Sequence, residues 1–244
     1  MSTLDAKFIG FFRLMDACDQ PGCPVCRCLS ADSKQYLETL LYEHVTDPDT
    51  RRRLRVSWGF CAQHARMLRE TSNPAFGAAI LCEDLLGVVI RRLERATGPA
   101  REGPRGVRRW LGRLGRPRRR VGPGGLTGPR ARCPACRETT DAEDRYLRTA
   151  LAFIGNPQFE SAYERSAGLC VPHLVGLLER GAGTPQAAEV VARTVPKWRA
   201  LRRDLADFVG KHDYRNRTPF TDAEATAYLR ALDILSGGPG GIGA

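Results

Sequence analysis

Cys23-Pro24-Val25-Cys26-Arg27 and, further along, Ser57-Trp58-Gly59-Phe60-Cys61-Ala62-Gln63-His64 are one half of a pattern that this 244-residue chain writes twice. The other half is Cys133-Pro134-Ala135-Cys136-Arg137 with Ser166-Ala167-Gly168-Leu169-Cys170-Val171-Pro172-His173. Between the motifs the correspondence continues: Tyr36-Leu37, Thr39 and Leu41 match Tyr146-Leu147, Thr149 and Leu151, and Leu68 matches Leu177. The spacing from the second cysteine to the CxxH differs by one residue, 34 intervening residues against 33. That difference falls near Asp47-Pro48 and Asn156-Pro157, turn-like dipeptides where a loop absorbs an insertion. The reading is an internal duplication of one module.

Helical spacing runs through both segments. Tyr36, Leu37, Leu40 and Leu41, and Tyr146, Leu147, Ala150 and Leu151, recur at intervals of three and four, which predicts amphipathic helices over 30–45 and 140–154. Each CxxH opens a further helix reaching about Glu70 and Arg180. Longer helices follow over 76–96 and 185–211, the second kinked or divided by Pro196. Thr221-Asp222-Ala223-Glu224 is a capping-box sequence that starts a last helix. No segment alternates as a strand does. The expected fold is all-α: two tandem zinc-stabilised helical modules from the duplication, packed about a pseudo-twofold axis. The expected domains are a first Cys3His module over 1–97, a flexible Arg/Gly/Pro linker over 98–132, a second Cys3His module with C-terminal helices over 133–236, and a disordered glycine-rich tail over 237–244.

Four soft donors in two short-range pairs are what tetrahedral zinc requires, because a CxxC or CxxH turn aims both side chains at one point. Within each repeat the pairs are Cys23/Cys26 with Cys61/His64, and Cys133/Cys136 with Cys170/His173, so two Zn2+ are expected, one per repeat. Gly59 and Gly168, just ahead of the CxxH cysteines, suit a tight turn. Three thiolates against two positive charges leave each site at a net of about −1, and Arg27 and Arg137 are candidates to offset it from behind the ligands. Alternatives stay open: buried unliganded cysteines, a CPxC redox pair, or an iron-sulfur cluster, which spacing alone does not separate from zinc. Cys18 and Cys28, without counterparts in the second repeat, read as packing residues, and Cys82 reads as core. His44 and His212 lack ligand-like neighbours.

Composition bounds the rest. The chain is 42% apolar and 7% aromatic, an ordinary globular balance. The N-terminus lacks the layout of a signal peptide, so nine cysteines imply reduced thiols and a cytoplasmic location rather than a disulfide framework. The most apolar stretch, 76–93, is interrupted by Glu83, Asp84, Arg91 and Arg92 and falls short of the roughly 20 apolar residues that span a bilayer. Of the net charge of +11, +10 lies between Gly98 and Arg132, where eleven arginines face one acid, Glu102. Arg108, Arg109, Trp110, Arg113, Arg118, Arg119 and Arg120 are the nucleic-acid candidates of that segment, offering cations beside one stacking ring.

The tandem CPxC…SxGxCxxH layout, a tryptophan-bearing helix, and Phe208-Val209-Gly210-Lys211-His212-Asp213-Tyr214-Arg215 together resemble a bacterial family of helical proteins known only as a domain of unknown function. The resemblance covers most of 20–236 outside the arginine segment. It implies the helical module and no activity. Three functions follow for test: a non-enzymatic binding or regulatory protein with structural zinc; a nucleic-acid-associated protein; and an iron-sulfur or thiol-redox protein whose polar pocket would draw on Lys211, Asp213, Arg215 and Glu224. The first is preferred because four protein ligands leave no open coordination position.

Overall fold

The computed structural model describes residues 3–97 and 130–238. These form eleven helices and no strand among the described residues. In order they are α1 (Thr3–Cys18), α2 (Pro24–Glu43), α3 (Pro48–Ser57), α4 (Ala62–Arg69), α5 (Ala75–Thr97), α6 (Pro134–Phe153), α7 (Pro157–Arg165), α8 (Val171–Arg180), α9 (Pro185–Lys211), α10 (Asp222–Ala225) and α11 (Ala227–Ser236). No described helix is long and apolar enough to cross a membrane.

Helix starts are where the structure departs most from the sequence expectation. The CPxC motifs do not precede their helices but open them: Pro24 and Pro134 are the first residues of α2 and α6, six residues earlier than predicted. Proline suits that position because its missing N–H would be unsatisfied there anyway. The Asx-Pro dipeptides, expected to be loops, are also helix starts. Asp47 caps α3 by accepting from the Thr50 N–H at 2.7 Å. Asn156 caps α7 through Oδ1, which accepts from the N–H groups of Gln158 and Phe159 at 3.0 and 3.3 Å. In contrast, α9 runs as one helix through Pro196. The capping box at Thr221 forms as expected, but the helix breaks at Thr226 into the short α10 and then α11.

The chain divides into two compact units, one comprising 1–36 and 135–244, the other 37–134. This differs from the expected division into 1–97 and 133–236, since α1 and the first half of α2 belong with α6 to α11. The reason is the apolar core of the larger unit. It joins Phe11, Leu14 and Ala17 of α1 and Val25 and Leu29 of α2 to Leu147 and Ile154 of α6, Phe159 and Tyr163 of α7, and Leu174 and Leu177 of α8. Phe11 packs its ring against Phe153 and Phe159, with centroids 4.8 and 6.1 Å away. Tyr146 Oη donates to Asp32 Oδ2 at 2.9 Å, and Arg13 pairs with the same carboxylate. Cys18 and Cys28 are buried in this core as packing residues, and burial pushes both thiols up to about 12.

The smaller unit has fewer buried aliphatic residues, among them Leu37, Leu40, Leu54 and Leu81. Here α5 approaches α2 so closely that a Cβ at Gly77 would lie 2.6 Å from the Leu41 carbonyl oxygen, so only glycine fits. Arg55 ties α3 to α5 through Asp84, with Nε 2.7 Å from Oδ2. Cys82, expected in the core, is exposed on α5. Its neighbour Leu81 takes the inward position instead, because adjacent residues on a helix point about 100° apart.

Candidate metal centre

All eight cysteine and histidine residues expected to bind metal come together, but not in the expected foursomes. The first group is Cys23, Cys26, Cys170 and His173, all buried; the second is Cys61, His64, Cys133 and Cys136, with Cys61 and Cys136 half-buried. Each CPxC pair therefore meets the CxxH pair of the other sequence segment, which corrects the pairing within each repeat. The first group lies wholly within the larger unit.

Local structure explains how each pair presents two donors. Cys61 and Cys170 occupy the N-cap positions of α4 and α8 in extended conformation, ψ 167° and 166°, and neither side chain caps its helix. The histidine three residues later then sits on the first turn, on the side of the cysteine. Cys23 and Cys133 stand in the same relation to α2 and α6, and the Cys23 carbonyl accepts the first helical bond from Arg27 N–H at 3.1 Å. Every pair is thus a helix N-terminus, where the positive end of the peptide dipoles favours a thiolate.

The approach to each CxxH is set by an SxG turn. Gly59 and Gly168 hold φ of +85° and +78°, a region that suits glycine. Ser166 Oγ accepts from Gly168 N–H at 3.0 Å and donates to the Tyr163 carbonyl at 2.7 Å. Tyr163 Oη accepts from Leu169 N–H at 3.2 Å and meets Thr194 Oγ1 at 2.7 Å, so the residue before Cys170 is fixed from two sides. Ser57 Oγ donates within the equivalent turn, 2.9 Å from the Gly59 carbonyl. Trp58 adopts a left-handed conformation at φ 61°. Its ring lies under two guanidinium groups, Arg92 at 4.8 Å and Arg130 at 5.4 Å from the centroid.

The donor spacing fits one ion. In the first group His173 Nδ1 lies 3.1 Å from Cys170 Sγ and 3.4 Å from both Cys23 Sγ and Cys26 Sγ, and Cys26 Sγ lies 3.7 Å from Cys170 Sγ. A tetrahedron with metal–sulfur bonds of about 2.3 Å and metal–nitrogen bonds of about 2.05 Å has edges of about 3.8 Å (S–S) and about 3.6 Å (S–N). In the second group His64 Nδ1 lies 3.2 Å from Cys61 Sγ and 3.9 Å from Cys133 Sγ. Within each group all donor atoms lie within 4.8 Å of one another.

The electrostatics of the first group are those of sulfurs competing for positive charge. Burial opposes ionisation of Cys23, but hydrogen bonds from Cys170, Cys26 and His173 outweigh it and hold that thiol well below its usual range. Hydrogen bonds to Cys170 and Cys23, together with burial, push Cys26 far above its range. Burial works against a charged His173, yet hydrogen bonds to Cys170 and Cys23 raise it to about 10. In the second group, burial lowers the pKa of His64. Three thiolates cannot share the first site on their own; a divalent cation at its centre would offset two of the three charges and leave a net of about −1.

The residues expected behind the ligands take different places. Arg27 turns its Nε onto the Pro21 carbonyl, 2.6 Å away in the turn that leads into Cys23, and Arg137 is exposed. Sequence reading missed Glu143, whose Oε1 lies 3.7 Å from His173 Nε2, the ring nitrogen facing away from the sulfurs. Its position two helical turns after Cys136 is visible in the sequence, but only the fold shows that it faces a histidine of the other foursome. Arg108, Arg109, Trp110, Arg113, Arg118, Arg119 and Arg120 lie outside the described residues. Lys211 and Glu224, proposed for a pocket, form an ion pair at 2.6 Å at the start of α10.

The chain is therefore an all-helical protein with two Cys/His groups able to hold metal. It belongs to a family of unknown function (DUF6062), whose model matches residues 9–239. It is also similar to an uncharacterized 23.9 kDa protein in xynA 3'region from Caldicellulosiruptor sp. (strain Rt8B.4). The two are 26% identical over 217 residues, 88% of this chain and 95% of the relative. No solved structure matches the chain.

Proposed function

We propose that this protein is a non-enzymatic helical binding or regulatory module whose architecture is fixed by two structural zinc ions, one held by Cys23, Cys26, Cys170 and His173 and the other by Cys61, His64, Cys133 and Cys136. The observation that carries this reading is the pair of closed four-donor groups with single-ion spacing. Three sulfurs and one imidazole suit zinc, and four protein donors leave no vacancy for a substrate or an activated water. An iron-sulfur cluster places several irons and sulfides between its protein ligands and holds them farther apart than these donors stand. The metals then serve geometry, and the function falls to the helical surfaces they hold.

The test is metal analysis of protein purified without oxygen. Two zinc ions per chain, no absorption band in the visible region, and loss of helical circular dichroism on chelation are expected. A visible band accompanied by iron and acid-labile sulfide, or protein that is fully helical without metal, overturns the reading.

A further inference from the structure

We infer that Glu143 is the positioning residue of the Cys23/Cys26/Cys170/His173 site, holding the His173 imidazole with Nδ1 toward the metal and Nε2–H toward its own carboxylate. The inference rests on the metal-binding reading above and deepens it.

The geometry is directional. His173 Nδ1 faces three sulfurs at 3.1 to 3.4 Å, whereas Nε2 faces Glu143 Oε1 at 3.7 Å. A neutral imidazole carries one N–H, and a ring nitrogen that ligates a metal cannot carry it. With Nδ1 as ligand the hydrogen must sit on Nε2, on the side of the carboxylate. The His173 side chain is 2% exposed and that of Glu143 20% exposed, so water competes little at the ring and a carboxylate there acts at reduced screening. The adjacent Asp144 is committed elsewhere, to Arg148 at 2.7 Å and Arg180 at 2.8 Å. Two neighbouring carboxylates on α6 thus have separate tasks, one on the helix surface and one behind a ligand.

A carboxylate in this position does two things. It selects the Nδ1-ligating tautomer and fixes the ring plane, which lowers the entropy lost on metal capture, and it makes the imidazole a better donor. Removing such a partner typically weakens metal affinity by about 10- to 100-fold.

The experiment compares wild type with Glu143→Gln, Glu143→Leu and, as a control on the same helix, Asp144→Asn, using zinc competition against a chromophoric chelator and Co2+ substitution. The first requirement is that wild type binds two ions per chain; if it binds none, the underlying metal reading fails and not this inference alone. Given two ions, one of them should be about 10- to 100-fold weaker in Glu143→Leu. Glu143→Gln, whose amide oxygen can still accept from Nε2–H, should fall between Glu143→Leu and wild type. Asp144→Asn should leave both affinities unchanged. The thiolate-to-Co2+ charge-transfer intensity should stay that of three sulfurs, while the ligand-field bands of one ion shift in Glu143→Leu. Helical circular dichroism in saturating zinc reports folding separately. Glu143→Leu with wild-type affinities and unshifted Co2+ bands overturns the assignment, as does an equal loss in Asp144→Asn.

Discussion

Gly168 stands at φ +78° two residues before Cys170, and a Cβ built on it would lie 3.1 Å from Lys197 Cδ. The conformation costs an ordinary L-residue roughly 1–2 kcal/mol, and the lysine stem must also shift. Gly168→Ala should therefore lower the midpoint of thermal unfolding in saturating zinc by the equivalent of roughly 1–2 kcal/mol. Gly155→Ala, where a Cβ meets nothing within 4 Å, should leave the midpoint nearly unchanged. Equal effects at the two positions would show that the turn ahead of Cys170 is not specially constrained. The serine two residues earlier makes the same point in hydrogen bonds, since Ser166 Oγ both accepts from Gly168 N–H and donates to the Tyr163 carbonyl. At this scale the sequence was informative: the recurring SxGxCxxH string names the turn, the bend-permitting glycine and both ligands.

Elements were legible where long amphipathic spacing or a CxxH motif marked them and obscure where only a turn-like dipeptide did. The sequence spacing anticipates α4, α5, α8 and α9 closely, whereas α3 and α7, ten and nine residues long, were hidden behind Asx-Pro dipeptides that read equally as turns. The structure resolves that ambiguity by using the Asx side chain as a cap and the proline as the first helical residue. Asn156→Ala should consequently cost about 1 kcal/mol by urea unfolding, because it orphans the N–H groups of Gln158 and Phe159 at the start of α7. No change in the unfolding midpoint would mean that water serves those donors as well. At the other end of the chain, Lys211 and the Thr221 N–H hold the Glu224 carboxylate below its ordinary value of 4.5. A carboxylate depressed in the folded state stabilises that state above its unfolded pKa, and the contribution fades as pH falls through the folded value. The Glu224 carboxyl carbon, followed by NMR, should titrate below 4.5 in wild type and move up toward it in Lys211→Met. Titration unmoved by that substitution would remove Lys211 as the cause.

The pairing of ligands is a property of the whole chain, and it was not legible. Two CPxC pairs and two CxxH pairs are chemically interchangeable, so proximity along the sequence favours joining Cys23/Cys26 to Cys61/His64, and nothing in the donors themselves argues otherwise. The folded chain joins Cys23/Cys26 to Cys170/His173 because Val25 and Leu29 of α2 are buried with Leu147 of α6 and Leu174 and Leu177 of α8. Packing thus chooses among ligand sets of equal intrinsic affinity. The two arrangements make opposite predictions for double variants, since one missing thiolate is enough to open a closed site. Cys23→Ala with Cys170→Ala removes two ligands from one group, so that protein should retain one zinc ion per chain. Cys23→Ala with Cys61→Ala removes one ligand from each group and should retain none under a stringent competing chelator. Pairing along the sequence reverses both results. Retention of an ion also shows that the remaining site has folded. Cadmium-113 substitution supplies an independent readout in the unmutated chain: the β-protons of Cys23, Cys26 and Cys170 should couple to one cadmium resonance, and those of Cys61, Cys133 and Cys136 to the other. Coupling of Cys23 and Cys61 to a common cadmium would contradict the crossed arrangement and return the chain to two self-contained metal modules.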